Sequence, residues 1–289
     1  MHSYMSAVGF SKITNEELDK LLYSAIRSSE LSETAVNSDN SNYVEIRMSV
    51  CKNMGIAIRG TYDDEDAFKI DYYFPYYIGS TVSTDCDFEI IKQSDRESYQ
   101  GWADEPKLGV SLIFFLDNMM TYLNKYKDRS AFYGERYRKI YLSGLSLDGK
   151  VLLPAKEDIK NKDRIDNNRA SLVSKAREGD VDAIENLTLE DIDTYAMISR
   201  RISKEDIYSI VKTSFMPFGI ESDKYSVIGI IKDVKEYINQ ITMEEMYILQ
   251  LSVNDMFMEV CINKKNLLGE PKVGRRFKGN IWLQGHIEF

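Results

Sequence analysis

The densest chemistry in the sequence lies near its end. Between residues 264 and 278, Lys264, Lys265, Lys272, Arg275, Arg276 and Lys278 face only Glu270, a local excess of five positive charges. Phe277 and Trp282 are interleaved with them. Phosphate attraction combined with ring platforms is what single-strand nucleic-acid binding requires. Lys272, Arg275, Arg276, Phe277, Lys278 and Trp282 are therefore the candidate ligand-binding residues. Phe277 and Trp282 have opposite parity along one strand, so a single groove receives at most one of the two rings.

Other constellations lead to blander expectations. The chain has only His2 and His286, one near each end, so a nucleophile–histidine site must draw on one of them. Cys51, Cys86 and Cys261 lack metal-ligand spacing and read as small core hydrophobes. Gly144 through Lys150 fits half of a phosphate loop, but Val151 stands where Ser or Thr would bind Mg²⁺. The following Val-Leu-Leu-Pro reads as a strand with a stop, and Asp148-Gly149 as a hairpin turn. Asp63-Asp64-Glu65-Asp66 lacks the alternating spacing of a Ca²⁺ loop and reads as a solvated turn. Tyr72, Tyr73, Phe74, Tyr76 and Tyr77 could stack on sugars or bases; core or edge packing is expected, with Pro75 ending the strand. No catalytic residue, metal ligand or cofactor emerges.

The elements that would position these residues are α+β. Thr14 and Glu17 form a capping-box pattern ahead of an apolar face at Leu18, Leu21, Leu22, Ala25 and Ile26. Residues 28–42 read as loop. Val44, Ile46, Met48 and Val50 alternate with polar residues as a half-buried strand, and strands follow near 56–58, 68–72 and 88–91, an antiparallel meander. Residues 93–107 read as loop. Residues 108–115 are strand or buried helix, and 119–127 helix. Residues 167–213 carry helix caps at Asp180, Thr188 with Asp191, and Ser203. After residue 214 the pattern is β again: a long strand around Gly229, a hairpin turning at Asn254-Asp255, a helical turn at 264–268 and a last strand through Trp282. This suggests a small barrel of the OB type, with Ser214–Phe218 as its fifth strand.

The expected organisation is an antiparallel-sheet domain with helices over residues 1–156, a helical connector over 157–213 and an OB-like β-barrel over 214–289. The length of 289 residues fits two domains at about 100–200 residues each. A net charge of −9 disfavours general binding to nucleic acid or anionic membranes unless a local patch overrides it. Three widely spaced cysteines without a CxxC pair suit a reducing cytosol. No signal peptide is expected, and the apolar run Leu112–Leu116 is far too short to span a bilayer.

Several stretches resemble an uncharacterised family of clostridial Firmicutes proteins, defined as a domain of unknown function. They are Met1-His2-x-Tyr4-x-x-Ala7-Val8-Gly9-Phe10, Leu142–Pro154, Ala176–Asp180 with Ala183-Ile184-Glu185, Ile198–Ile202, Phe215–Gly219, and Gly274–Gly279 with Trp282–Gly285. The resemblance implies a bacterial cytosolic protein and no particular site residues. The leading expectation is a non-catalytic cytoplasmic binding or scaffold protein acting through its C-terminal barrel. A protein partner is first and single-stranded nucleic acid second. The alternative is a small-molecule enzyme using carboxylates and tyrosines of the N-terminal domain, which requires a deep pocket where at least two acidic groups converge.

Overall fold

The computed structural model describes residues 2–28, 32–37, 41–93, 96–105, 108, 110–125, 138–155, 175, 180–186, 188–189 and 207–289. The chain forms two compact units, one built from Met1–Leu152 with Thr213–Phe289 and one from Leu153–Lys212.

The first unit opens with a 3₁₀ turn, Ser3–Val8, and helix α1, Asn15–Ser28. The capping box is present. Thr14 N–H donates to Glu17 Oε2 at 2.9 Å, and Glu17 N–H donates to Thr14 Oγ1 at 3.3 Å. Strands β1 (Ser32–Val36), β2 (Asn42–Cys51), β3 (Met54–Tyr62) and β4 (Phe68–Tyr77) form an antiparallel meander in sequence order, whereas residues 88–91, expected as its last strand, pair in the larger sheet instead. β1 occupies a stretch expected as loop. β2 is buried on both faces rather than one, because Glu45 is covered through ion pairs. Pro75 does not end β4. It sits on an edge strand, where a missing N–H costs no ladder bond, and pairing continues to Tyr77.

The larger sheet begins with β5 (Phe88–Lys92), β6 (Tyr99–Glu105) and β7 (Val110–Leu116), followed by helix α2 (Met119–Lys125) and strand β8 (Ile140–Leu152). β6 lies where a loop was expected, and 110–116 is strand. After Thr213 come β9 (Ser214–Pro217), β10 (Lys224–Ile238), β11 (Glu245–Val253) and β12 (Met256–Asn263). A 3₁₀ turn (Lys264–Asn266), β13 (Leu267–Leu268) and β14 (Arg276–Ile287) complete the chain. The hairpin β11–β12 turns at Asn254 and Asp255, with φ of 47° and 65° as a primed turn demands. A Cβ at Gly229 would meet Val253 Cγ2 at 2.9 Å, so glycine lets β10 curl across its neighbours.

Strands β8, β12, β11, β10 and β14 pair in that order, and β14 pairs back onto β8 to close a five-stranded barrel. Two expectations are corrected here. The fifth barrel strand is β8 from residues 140–152, not Ser214–Phe218. β11 pairs with β10 only from Ile230 onward, and β9 fills the remaining stretch of that side of β10. Four residues cannot bridge both β12 and β14, whereas β8 does. The barrel therefore draws one strand from outside residues 214–289. Nor is Asp148-Gly149 a hairpin turn. β8 runs straight through it, and neither residue has positive φ. Gly149 is small because a Cβ there would lie 2.4 Å from the Phe277 ring.

One core cluster fills the barrel interior, with Leu249, Leu251, Val260, Ile262, Phe277 and Ile281. A second packs Leu145, Met246, Ile248, Cys261 and Trp282, on the barrel's outer face, against Tyr4, Phe10, Ile56 and Phe74. In the second unit, Asp180 Oδ1 accepts from Ala183 N–H at 3.1 Å and caps the helical residues 181–186, as its sequence position suggested. The caps Asp191 and Ser203 lie outside the described residues. No helix among the described residues is long and apolar enough to cross a membrane.

Candidate functional site

The C-terminal basic run is laced to carboxylates and carbonyls. Lys264 pairs with Glu245 at 3.0 Å and Glu236 at 3.2 Å, and Lys265 with Glu244 at 3.3 Å. Lys272 pairs with Glu270 at 2.8 Å, and Arg275 Nη1 donates to the Glu270 carbonyl at 2.9 Å. Arg276 is 2% exposed, and burial lowers its pKa. Lys278 is half-buried. Phe277 is sealed in the barrel, packed against Gly149 and Gly279. Trp282 faces the other way, as the parity of β14 required. The six candidate residues therefore do not converge on one surface.

Trp282 instead forms part of a cleft of about 520 Å³. One wall is the 3₁₀ turn, which carries His2 and Tyr4 to the Trp282 ring. The His2 and Trp282 ring centres are 4.8 Å apart, and those of Tyr4 and Trp282 are 5.6 Å apart. The opposite wall is β4 with Tyr72, Tyr73 and Phe74, backed by Phe115. Arg96, Gln100 and the 220–224 segment complete the lining. Gln100 Nε2 donates to Ser222 Oγ at 3.0 Å, which joins two of these segments.

Polar groups of the cleft are strongly conditioned. Trp282 Nε1 donates to Asp223 Oδ2 at 2.8 Å; burial raises the Asp223 pKa and that hydrogen bond opposes it. Lys224 Nζ pairs with Glu221 at 2.7 Å and lies 5.7 Å from the Tyr4 ring centre. Burial, aided by Asp223 and Glu221, pushes the Tyr4 phenol up to about 12. Burial, then Arg96 and Lys224, lower the His2 imidazole to about 4, so it is neutral at physiological pH. Its Nδ1 accepts from Tyr4 N–H at 3.3 Å.

Behind the β4 wall runs a buried ionic chain that fixes the wall in place. Arg59, 0% exposed, donates through Nε to Glu45 at 2.6 Å, through Nη1 to the Tyr72 hydroxyl at 2.7 Å and through Nη2 to the Asp117 carbonyl at 2.7 Å. Its guanidinium lies 4.7 Å from the Phe74 ring centre and 5.6 Å from that of Phe115. Arg47 joins Glu45 at 2.6 Å to Asp117 Oδ1 at 2.7 Å, and Asp117 Oδ2 meets His286 Nδ1 at 2.8 Å. A buried guanidinium with every neighbour satisfied rigidifies the side chains around it.

Sequence reasoning singled out Tyr72, Tyr73, Phe74 and Trp282 but set them in separate elements. Arg96, Asp223 and Lys224 carried no pattern, because only tertiary folding brings loops at 96 and 223 beside the N-terminal turn. His2 and His286 were set aside for their positions near the chain ends. Both are engaged, one in the cleft and one on Asp117. The acidic turn is as expected, with Asp63 Oδ1 accepting from Glu65 and Ala67 N–H.

No curated protein and no solved structure matches the chain. A family model does, over residues 5–285, and it spans both compact units and the cleft lining apart from His2, Ser3 and Tyr4. The chain belongs to that family, described as a domain of unknown function from an E. rectale gene (DUF3881).

Proposed function

We propose that this chain is a small-molecule-binding protein that holds a flat ring in the cleft between the N-terminal turn, β4 and Trp282 of the barrel. One observation carries the proposal: His2, Tyr4 and Trp282 present three rings whose centres lie 4.8–6.2 Å from one another along a single wall. Aromatic walls with a few oriented polar groups are the usual make-up of ligand pockets. The cleft's two carboxylates are engaged by Trp282 and Lys224, which suits binding better than proton transfer. Support for this cleft over the basic 264–278 face comes from the pairing of Lys264, Lys265 and Lys272 with carboxylates. A cytoplasmic location is part of the proposal, since the three thiols are free and a reducing compartment keeps them so.

The test uses fluorescence. The chain has two tryptophans, and Trp102 is 43% exposed on β6, so Trp102→Phe leaves Trp282 as sole reporter. Titration with the four ribonucleosides and 4-hydroxyphenylacetate is expected to give saturable quenching with at least one compound. No saturable change with any of them up to millimolar concentration refutes the proposal.

A further inference from the structure

The cleft's hydrogen-bonding groups are unevenly matched. Each of its two carboxylates already takes a hydrogen bond: Glu221 from Lys224, and Asp223 from Trp282. Its donors are in surplus. The Arg96 guanidinium lies 5.3 Å from the Tyr72 ring centre and, among the described residues, has no carboxylate partner. A guanidinium carries five N–H groups in a planar fork. Lys224 commits one of its three N–H groups to Glu221, whose side chain is 51% exposed. The third donor follows from the backbone. His2 Nδ1 accepts from Tyr4 N–H, and a neutral imidazole accepting at Nδ1 carries its proton on Nε2. Arg96 and Lys224 both act on His2 through space, so all three groups share one electrostatic neighbourhood.

We infer that Arg96, His2 and Lys224 receive the phosphate of a phosphomonoester whose ring lies along the Tyr4–Trp282 wall. This rests on the ring-binding proposal above. A phosphate monoester suits the donor set better than a carboxylate does. A carboxylate is planar, and its two oxygens are satisfied by the Arg96 fork alone. A phosphate offers three oxygens in a tetrahedral array, so an arginine, a histidine and a lysine on different segments can each take one. It also carries close to two negative charges at neutral pH, which Arg96 answers directly and Lys224 answers in competition with the exposed Glu221. Arg96 comes from the bend between β5 and β6, His2 from the N-terminal turn and Lys224 from the start of β10. Their convergence on one cleft is a product of the fold, not of one loop.

The experiment pairs each ribonucleoside with its 5′-monophosphate. Titrations use the Trp102→Phe protein in phosphate-free buffer at fixed ionic strength. For at least one pair the monophosphate is expected to bind about ten- to a hundredfold tighter than the nucleoside, the scale of one or two charge-assisted hydrogen bonds. Arg96→Gln should weaken the monophosphate far more than the nucleoside and so erase most of that preference. Arg96 is on an exposed bend, so circular dichroism should show an intact fold in the variant. Three outcomes overturn the inference. If nucleoside and monophosphate bind equally, the ring proposal stands and the phosphate assignment falls. If the preference survives Arg96→Gln combined with Lys224→Met, the phosphate sits elsewhere. If no pair binds saturably, the phosphate assignment falls, and the ring proposal falls with it when 4-hydroxyphenylacetate also fails to bind.

Discussion

Replacing Gly149 by alanine decides whether Asp148-Gly149 is strand or turn, and with it whether Phe277 is available to a ligand. A Cβ at position 149 would lie 2.4 Å from Phe277 Cε2, 3.0 Å from its Cζ and 3.1 Å from Ile262 Cδ1. The tip of Ile262 can yield by a few tenths of an ångström; a fully buried ring cannot. Overpacking of this kind costs about 1–3 kcal/mol. Exchanging a mid-strand glycine for alanine returns about 0.5–1 kcal/mol of backbone entropy. The expected net effect of Gly149→Ala is a loss of about 1–2 kcal/mol. Phe277→Ala alone is expected to cost about 3–5 kcal/mol. With the ring removed, the overlap disappears and the entropic gain remains. Gly149→Ala made on top of Phe277→Ala should therefore be neutral, or stabilising by up to about 1 kcal/mol. Urea titration of the four proteins, followed by circular dichroism, reads this coupling from the midpoints. Were the pair a turn with positive φ, alanine would cost backbone strain equally in both backgrounds. Additivity within about 0.5 kcal/mol would refute the strand assignment and release Phe277 from the barrel interior.

Three further outcomes follow from the buried chain and the first helix. Burial works to raise the Asp117 pKa, but Arg47 and His286 hold the carboxyl well below the usual carboxylate range. A depressed folded value contributes stability above the ordinary aspartate pKa of about 3.9, and that contribution is lost as pH falls through the folded value. Asp117→Asn should thus cost about 3 kcal/mol at neutral pH and flatten the loss of stability below about pH 4; an unchanged acid profile would contradict the pairing. Arg59→Met leaves Glu45 buried beside Arg47 alone, and the expected loss is about 3–5 kcal/mol by urea midpoint. A loss below about 1 kcal/mol would show that Arg47 suffices for Glu45. Thr14→Ala breaks the capping box and should cost about 1 kcal/mol, with the same titration as the check.

Local signals in the sequence were read well where local physics decides the outcome. The Thr14–Glu17 box, the Asn254-Asp255 turn and the curl at Gly229 depend on neighbours within a few residues or within one hairpin. Asp148-Gly149 misled because its local preference is a turn, whereas β14 pairing from the far end of the chain holds it extended. β2 was read as half-buried because Glu45 and Arg47 look like a solvated face. Only Arg59 on β3 and Asp117 after β7 make burial of that face affordable. The cleft was legible as fragments: the aromatic run at 72–74 and Trp282 were marked, but nothing in spacing links residue 2 to residues 96, 224 and 282. A basic run attracts attention by density, and its pairing with Glu236, Glu244, Glu245 and Glu270 depends on register that the sequence does not display.

Closure of the barrel by β8 sets a schedule for the chain as it leaves the ribosome. β8 ends at Leu152, yet β14, which seals it, starts at Arg276. At about 5–20 residues per second, translating the roughly 120 residues between them takes about 6–25 seconds. For most of that interval β8 has neither β12, made only at Met256–Asn263, nor β14 to pair with, while the four-stranded meander is already complete. Nascent chains stalled before residue 276 should therefore be cut by protease near β8 but not within β2–β4. Full-length chains should resist at both. The nearly all-β unit would then mature in two stages separated by a translational delay, with the cleft appearing only at the second, when Trp282 arrives.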